Sequence, residues 1–269
     1  MESKVKFEKF TLSKRMKSML RVDFRRMLKS KLFYILIACA LVLPIIMTVM
    51  MAMMDGSVSV DPQTGEETVM KGPESTWQNI GTIPGKEAMG GSEVFSMCNI
   101  NMAFMGISVF ICLFISDDFR SGYAKNIFTV RSKKTEYVIS KTVVGFVCGA
   151  LMLIAYFVGA MLGGAISALP FELGDLSVAN IVMCMLSKIL LMLVFVAIFV
   201  LVSVAAKQKA WLSICGSLGA GMLLFMMVSM ITPLNSSIVN VALCLAGGIL
   251  FAIGLGAISC IVLKKTSLV

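Results

Sequence analysis

The chain has 269 residues, 58% hydrophobic and only 14% charged, with a mean hydropathy of +0.92. A soluble domain runs at about 45–50% apolar and about 25% charged, so one soluble core of this length cannot hide the excess and most of the chain belongs in lipid. A net charge of +9 on so few charged residues makes their position along the chain informative, and the composition excludes a soluble enzyme, a disordered tail and a nucleic-acid-binding domain.

Residues 1–31 are basic. Leu12, Met16, Met19, Leu20, Phe24 and Met27 recur at spacings of three and four, the period of an amphipathic helix, with Thr11 placed to cap it. Arg15, Arg21, Arg25 and Arg26 fill the other positions. This predicts a helix lying on the inner leaflet, its basic side on anionic headgroups.

Six apolar stretches follow, each near the roughly 20 residues that cross a bilayer: 32–54, 94–116, 138–165, 178–206, 211–232 and 239–263. They are apolar all round and show no ten-residue alternation, which predicts an all-α integral membrane protein and excludes a membrane β-barrel. The first stretch contains Pro44 and ends in a cluster of methionines at 47, 50, 51, 53 and 54, read as adaptable apolar packing. It starts too late and is too long for a cleaved signal, so it is expected to serve as an uncleaved anchor. Between the first two stretches lies a long loop, 55–93. Val58 and Val60 ahead of an Asp-Pro-Gln-Thr-Gly turn allow a small hairpin there.

The segment 117–137 connects the second and third stretches. Asp117 and Asp118 suit a helix N-terminus, where the dipole favours negative charge. Phe119, Tyr123 and Ile127 then share one helical face, with Phe128 beside them. This predicts a short amphipathic helix with an exposed apolar-aromatic face, suited either to docking a partner or to packing on its own membrane domain. In the third and fifth stretches, Gly145/Gly149, Gly159/Gly163, Gly216/Ala220 and Ser217/Gly221 have the four-residue spacing that lets helices approach closely. Internal packing explains these pairs, and the fifth stretch also offers a dimer seam. Lys188 is the one charge deep inside a stretch. Eighteen apolar or small residues follow it, so it is expected to snorkel to the outer headgroups, with a cavity or a partner subunit as the alternative.

The charges divide by side. Eleven Lys/Arg precede the first stretch, five lie between the second and third with Lys141 in the opening turn of the third, and pairs at 207/209 and 264/265 complete that side; the other side has only Lys71 and Lys86 but nine acids. Basic loops stay in the cytoplasm, which places both termini inside.

Several chemistries are missing. The chain has no histidine, the usual metal ligand and proton shuttle. No acid lies deep in a stretch, which argues against ion-coupled transport. The eight cysteines form no C-x-x-C pair, so neither a disulfide framework nor a metal site is expected. Residues 81–86, Gly-Thr-Ile-Pro-Gly-Lys, are one residue short of a phosphate loop and are followed by Glu87 where Ser or Thr is needed. Ser187 adjoins Lys188, but neighbouring helix positions point about 100° apart, too far for a catalytic pair.

With this architecture and the Asp117/Asp118, Gly122, Ile127/Phe128, Arg131 and Lys141 pattern after the second stretch, the chain resembles the permease subunits of ABC-2 type transporters. Val130 stands where that family often has proline. The resemblance implies a six-helix ABC-2 exporter fold in a bacterial plasma membrane. It also implies a translocation path made by two permease chains, identical or not, with ATP and magnesium held by separate cytoplasmic ATPase subunits and no cofactor on this chain. Asp117, Asp118, Phe119, Arg120, Gly122, Tyr123, Ile127, Phe128 and Arg131 would then form the coupling segment. The separate short permease and long first outer loop resemble exporters of amphipathic or antimicrobial peptides. The competing readings are an ion-driven carrier or channel and a non-transporting scaffold or sensor that presents the outer loop.

Overall fold

The computed structural model describes residues 12–60, 67–69, 72–81, 99–130, 134–172 and 176–265. Arg131, Thr11, most of the phosphate-loop look-alike and the beginning of the second apolar stretch lie outside them. The described chain is helical: α1 (Leu12–Lys29), α2 (Lys31–Met53), α3 (Met102–Arg120), α4 (Tyr123–Val130), α5 (Lys134–Ile166), α6 (Val178–Ala206), α7 (Ala210–Ile231) and α8 (Ile238–Lys265). Two short antiparallel strands, β1 (Val58–Val60) and β2 (Glu67–Val69), pair Val58 with Val69 and Val60 with Glu67, the hairpin anticipated from the turn signal.

Among the described residues, α2, α3, α5, α6 and α8 are long and apolar enough to cross a membrane, and α7 is apolar over the shorter run Ala210–Phe225. Helix α6 is the hub, packing against α3, α5, α7 and α8. Its Met192, Phe195, Val196, Phe199 and Val200 are all buried, so an apolar run that would face lipid in a lone helix faces protein here.

Helix α2 lies along α5 through the expected small residues. A Cβ on Gly159 would sit 2.1 Å from the Leu41 carbonyl oxygen, and one on Gly163 would sit 3.0 Å from the Ile45 Cα. Only glycine permits backbones this close. In α7, Ser217 is buried and bonded to Cys112, and Gly221 faces Met105 and Phe199. Ser217 and Gly221 of α7 thus pack internally on α3 and α6, while Gly216 and Gly219 stay exposed on its outer face.

Part of the long loop is docked. A single 3-10 turn, Thr76–Asn79, is tied down by Thr76 N–H to the Pro170 carbonyl (3.2 Å), Trp77 Nε1 to the Phe171 carbonyl (3.1 Å) and Asn79 Nδ2 to Thr48 Oγ1 (2.9 Å). Gly164 makes room for Thr76, whose Oγ1 would be 2.3 Å from a Cβ there.

Candidate functional site: a buried charge cluster at the basic end

The basic segments meet at one end of the bundle. Ser116 Oγ in α3 donates to the Lys207 carbonyl between α6 and α7 (2.9 Å), Lys134 at the start of α5 donates to the Leu263 carbonyl near the end of α8, and Arg26 of α1 pairs with Asp118 of α3. The charges that the sequence assigns to one side are thus gathered in space as well.

Within this end lies a cluster built from α1, α3 and α5. Asp23 and Asp118 are both fully buried, and Lys141 nearly so. Lys141 Nζ reaches Asp23 Oδ1 at 2.8 Å and Asp118 Oδ2 at 2.7 Å. Arg26 reaches Asp118 Oδ1 at 2.5 Å and the more distant Asp23 at 3.8 Å. Ser140 Oγ donates to Asp23 Oδ2 (2.6 Å), and Tyr137 Oη donates to Asp118 Oδ2 (2.9 Å). Two carboxylates and two cations balance, which is what allows ions to persist away from water. Aromatic rings line the cations: Lys141 Nζ is 4.1 Å from the Phe114 ring centre, and the Arg26 guanidinium is 4.3 Å from that of Tyr123. Burial alone would lower the Arg26 pKa, but Asp118 and then Asp23 carry it above its ordinary value. The Tyr123 phenol is raised, first by burial and then by Asp23.

This geometry corrects the reading of the connecting segment. Asp117 and Asp118 do not begin a helix; they sit in the last turn of α3, which runs on to Arg120. The dipole at that end disfavours acids, but the direct pairs made by Asp118 with Arg26 and Lys141 outweigh a term worth about 0.3–1 kcal/mol. Phe119 therefore belongs to α3 and not to the helix of Tyr123 and Ile127. The chain breaks at Gly122, whose φ of +73° favours glycine, and α4 starts afresh. Its apolar face turns inward rather than outward. Ala124 is buried, Ile127 and Phe128 pack on the core, and the Phe128 ring meets Tyr137 edge-on at 5.2 Å. The exposed positions are Lys125, Asn126 and Thr129.

A family model described as "ABC-2 family transporter protein" matches residues 19–221. The chain belongs to the ABC-2 transporter family. No curated protein and no solved structure matches it. The family assignment makes the chain a multi-pass membrane protein and the permease part of an ABC transporter, a family in which ATP hydrolysis is typically on a separate subunit.

In this ABC-2 permease the other expected site residues fall as follows. Of the α1 arginines, Arg21 and Arg25 are exposed, Arg15 and Arg26 are half-buried, and the apolar stripe Met19–Met27 is sunk against the protein. Asp117 is mostly exposed, 3.7 Å from Arg26, and Arg120 is exposed. Lys188 does not snorkel. It is fully buried, donating to Asn101 Oδ1 (2.8 Å) and Thr232 Oγ1 (3.0 Å). Asn101 caps the start of α3 and Thr232 the end of α7, so both neighbouring helices stop at the level of Lys188 and close over it, while α6 continues past. Asp23, Ser140 and Tyr137 are the residues that sequence reasoning missed. The signal for Asp23 was present: it lies four residues from both Met19 and Met27, a carboxylate inside the apolar stripe.

Proposed function

We propose that the chain is the membrane permease of an ATP-driven exporter in a bacterial plasma membrane. Two permease chains, identical or not, form the path, each seated on a separate cytoplasmic ATPase subunit that holds ATP and magnesium. Helix α7 serves as a sixth span, and the basic end of the bundle, with both termini, faces the cytoplasm. The cargo is an amphipathic or antimicrobial peptide or a similar apolar molecule.

The observation that carries the coupling mechanism is the position of α4. Its inward face is fixed to Tyr137 through Phe128 and to Arg26 through its own Tyr123 ring, so it is joined to the charge cluster that ties α1, α3 and α5. Its outward face, Lys125, Asn126 and Thr129, is the surface an ATPase would push. A force on α4 would then move three helices together, biasing inward against outward access through contacts that differ between ATPase states.

The test is co-purification with an ATPase encoded alongside the chain, followed by ATP-driven export from reconstituted vesicles. Lys125→Glu combined with Asn126→Asp is expected to lower export more than tenfold while membrane insertion and hydrolysis by the ATPase persist. Transport by the purified chain alone under an ion gradient would sink the proposal.

A further inference from the structure

A cavity of about 480 Å³ opens at the basic end between the end of α1, the start of α2, the end of α3 and the start of α7. This volume lies within the range of small-ligand sites, about 300–1,000 Å³. Its polar part holds Arg26, Lys29 and Arg120, with Asp117 as the one carboxylate. Arg26 is already engaged by Asp118. Lys29 and Arg120 are exposed, and among the described residues no carboxylate pairs with either. The first turn of α7 also borders the cavity through Ala210, and that helix start has no side-chain cap, so its amide dipoles add positive potential.

Ser30 and Ser116 complete the polar part, and the deeper wall is apolar: Phe110, Leu113 and Phe114 of α3, with Leu32 of α2. Phe110 lies ten residues before Arg120 on one helix, about 15 Å deeper along its axis. Cationic groups at the helix ends above an apolar wall that descends along a membrane span match the two halves of a phospholipid. A free phosphate would use only the upper half.

We propose that this cavity binds the phosphate of an anionic phospholipid, held by Lys29 and Arg120, with the upper part of an acyl chain against Phe110 and Leu113. The inner-leaflet location rests on the orientation proposed above; the binding itself does not. The lipid phosphate would stand beside Asp117 and Arg26 and so beside the charge cluster, making the α1–α3 junction sensitive to lipid charge.

The experiment is native mass spectrometry of the purified full chain released from micelles doped with equal phosphatidylglycerol and phosphatidylcholine. Wild type is expected to retain phosphatidylglycerol in preference. Lys29→Gln with Arg120→Gln is expected to lower that retention roughly thirtyfold, the effect of two basic residues at a membrane surface, with an unchanged melting temperature. Lys264→Gln with Lys265→Gln, at the end of α8 away from the cavity, should keep the preference. Equal loss in both pairs would mean diffuse surface attraction and would overturn the site. Equal retention of the two lipids by wild type would also overturn it. Full displacement by inorganic phosphate at matched concentration would overturn the lipid assignment. Because the assay needs neither ATPase nor transport, its failure leaves the permease reading intact, and failure of ATP-driven export leaves the lipid site intact.

Discussion

Two buried lysines at opposite ends of the bundle are held in opposite ways. Lys141, at the basic end, sits between Asp23 and Asp118 at 2.8 and 2.7 Å. Lys188, where α3 begins and α7 ends, meets among the described residues the neutral oxygens of Asn101 and Thr232 and no carboxylate. Moving an ammonium out of water costs several kcal/mol in either place. At the basic end two carboxylates offset that cost and in doing so bind α1, α3 and α5 into one unit. At the other end the cost is met only by hydrogen bonds and by the carbonyl end of the α7 dipole. Charge therefore ties the helices together where a partner is proposed to push, and among the described residues it is left unbalanced at the far end.

The largest effect should come from Lys141→Met. It leaves two buried carboxylates with Arg26 as their one cation, beside the Ser140 and Tyr137 hydroxyls, and breaking a buried pair by removing one partner costs about 3–5 kcal/mol. Denaturation in detergent should show this loss. Asp118→Asn should cost less, because Lys141 keeps Asp23 and Tyr137 keeps a hydrogen-bond acceptor. If Lys141→Met were neutral, the cluster would be an accident of packing rather than a clamp.

Lys188→Met should behave differently despite removing the same group. It relieves an uncompensated charge and leaves the Asn101 carbonyl short of a donor, a loss of about 1–3 kcal/mol. The two oppose each other, so the net change in stability is expected within about 1 kcal/mol of wild type. A cost equal to that of Lys141→Met in the same denaturation measurement would break the comparison. It would mean that an anion beyond the described residues balances Lys188.

The same contrast explains what could be read from the sequence. Long apolar runs dictate helices whatever their neighbours, so α2, α5, α6 and α8 begin and end within a few residues of expectation. The Gly159/Gly163 spacing announced a close approach, although the partner helix α2 is a property of the tertiary fold. The charges were harder. Reading Asp118 by its local dipole preference placed it at a helix start, because Arg26 and Lys141 lie far away in sequence and meet it only in the folded chain. Lys188 was assigned to headgroups because its own helix could cross the bilayer without it; what holds it is the termination of two other helices. The aromatic residues of α4 were correctly placed on one side of a helix from Tyr123 onward, but the side they turn to depends on Tyr137, again on another element.

The smallest effect tests the rim of the cluster. Tyr123 packs beneath Arg26 and faces Asp23 and Asp118, and burial with these carboxylates raises its pKa above the ordinary value near 10. The folded state then holds the phenol proton more tightly than the unfolded chain. The stability this contributes is fully present below pH 10, and it is lost as pH rises through the folded-state value. Tyr123→Phe keeps the ring and its contact with Arg26 but has no proton to lose. Melting temperatures of wild type and Tyr123→Phe should therefore differ by a constant amount from pH 7 to 9. Above pH 10 wild type should fall relative to the variant, while the lysines that titrate in the same range act on both proteins and cancel. Parallel curves at every pH would mean that Tyr123 does not feel the two carboxylates, and that the cluster ends at Arg26 instead of reaching α4.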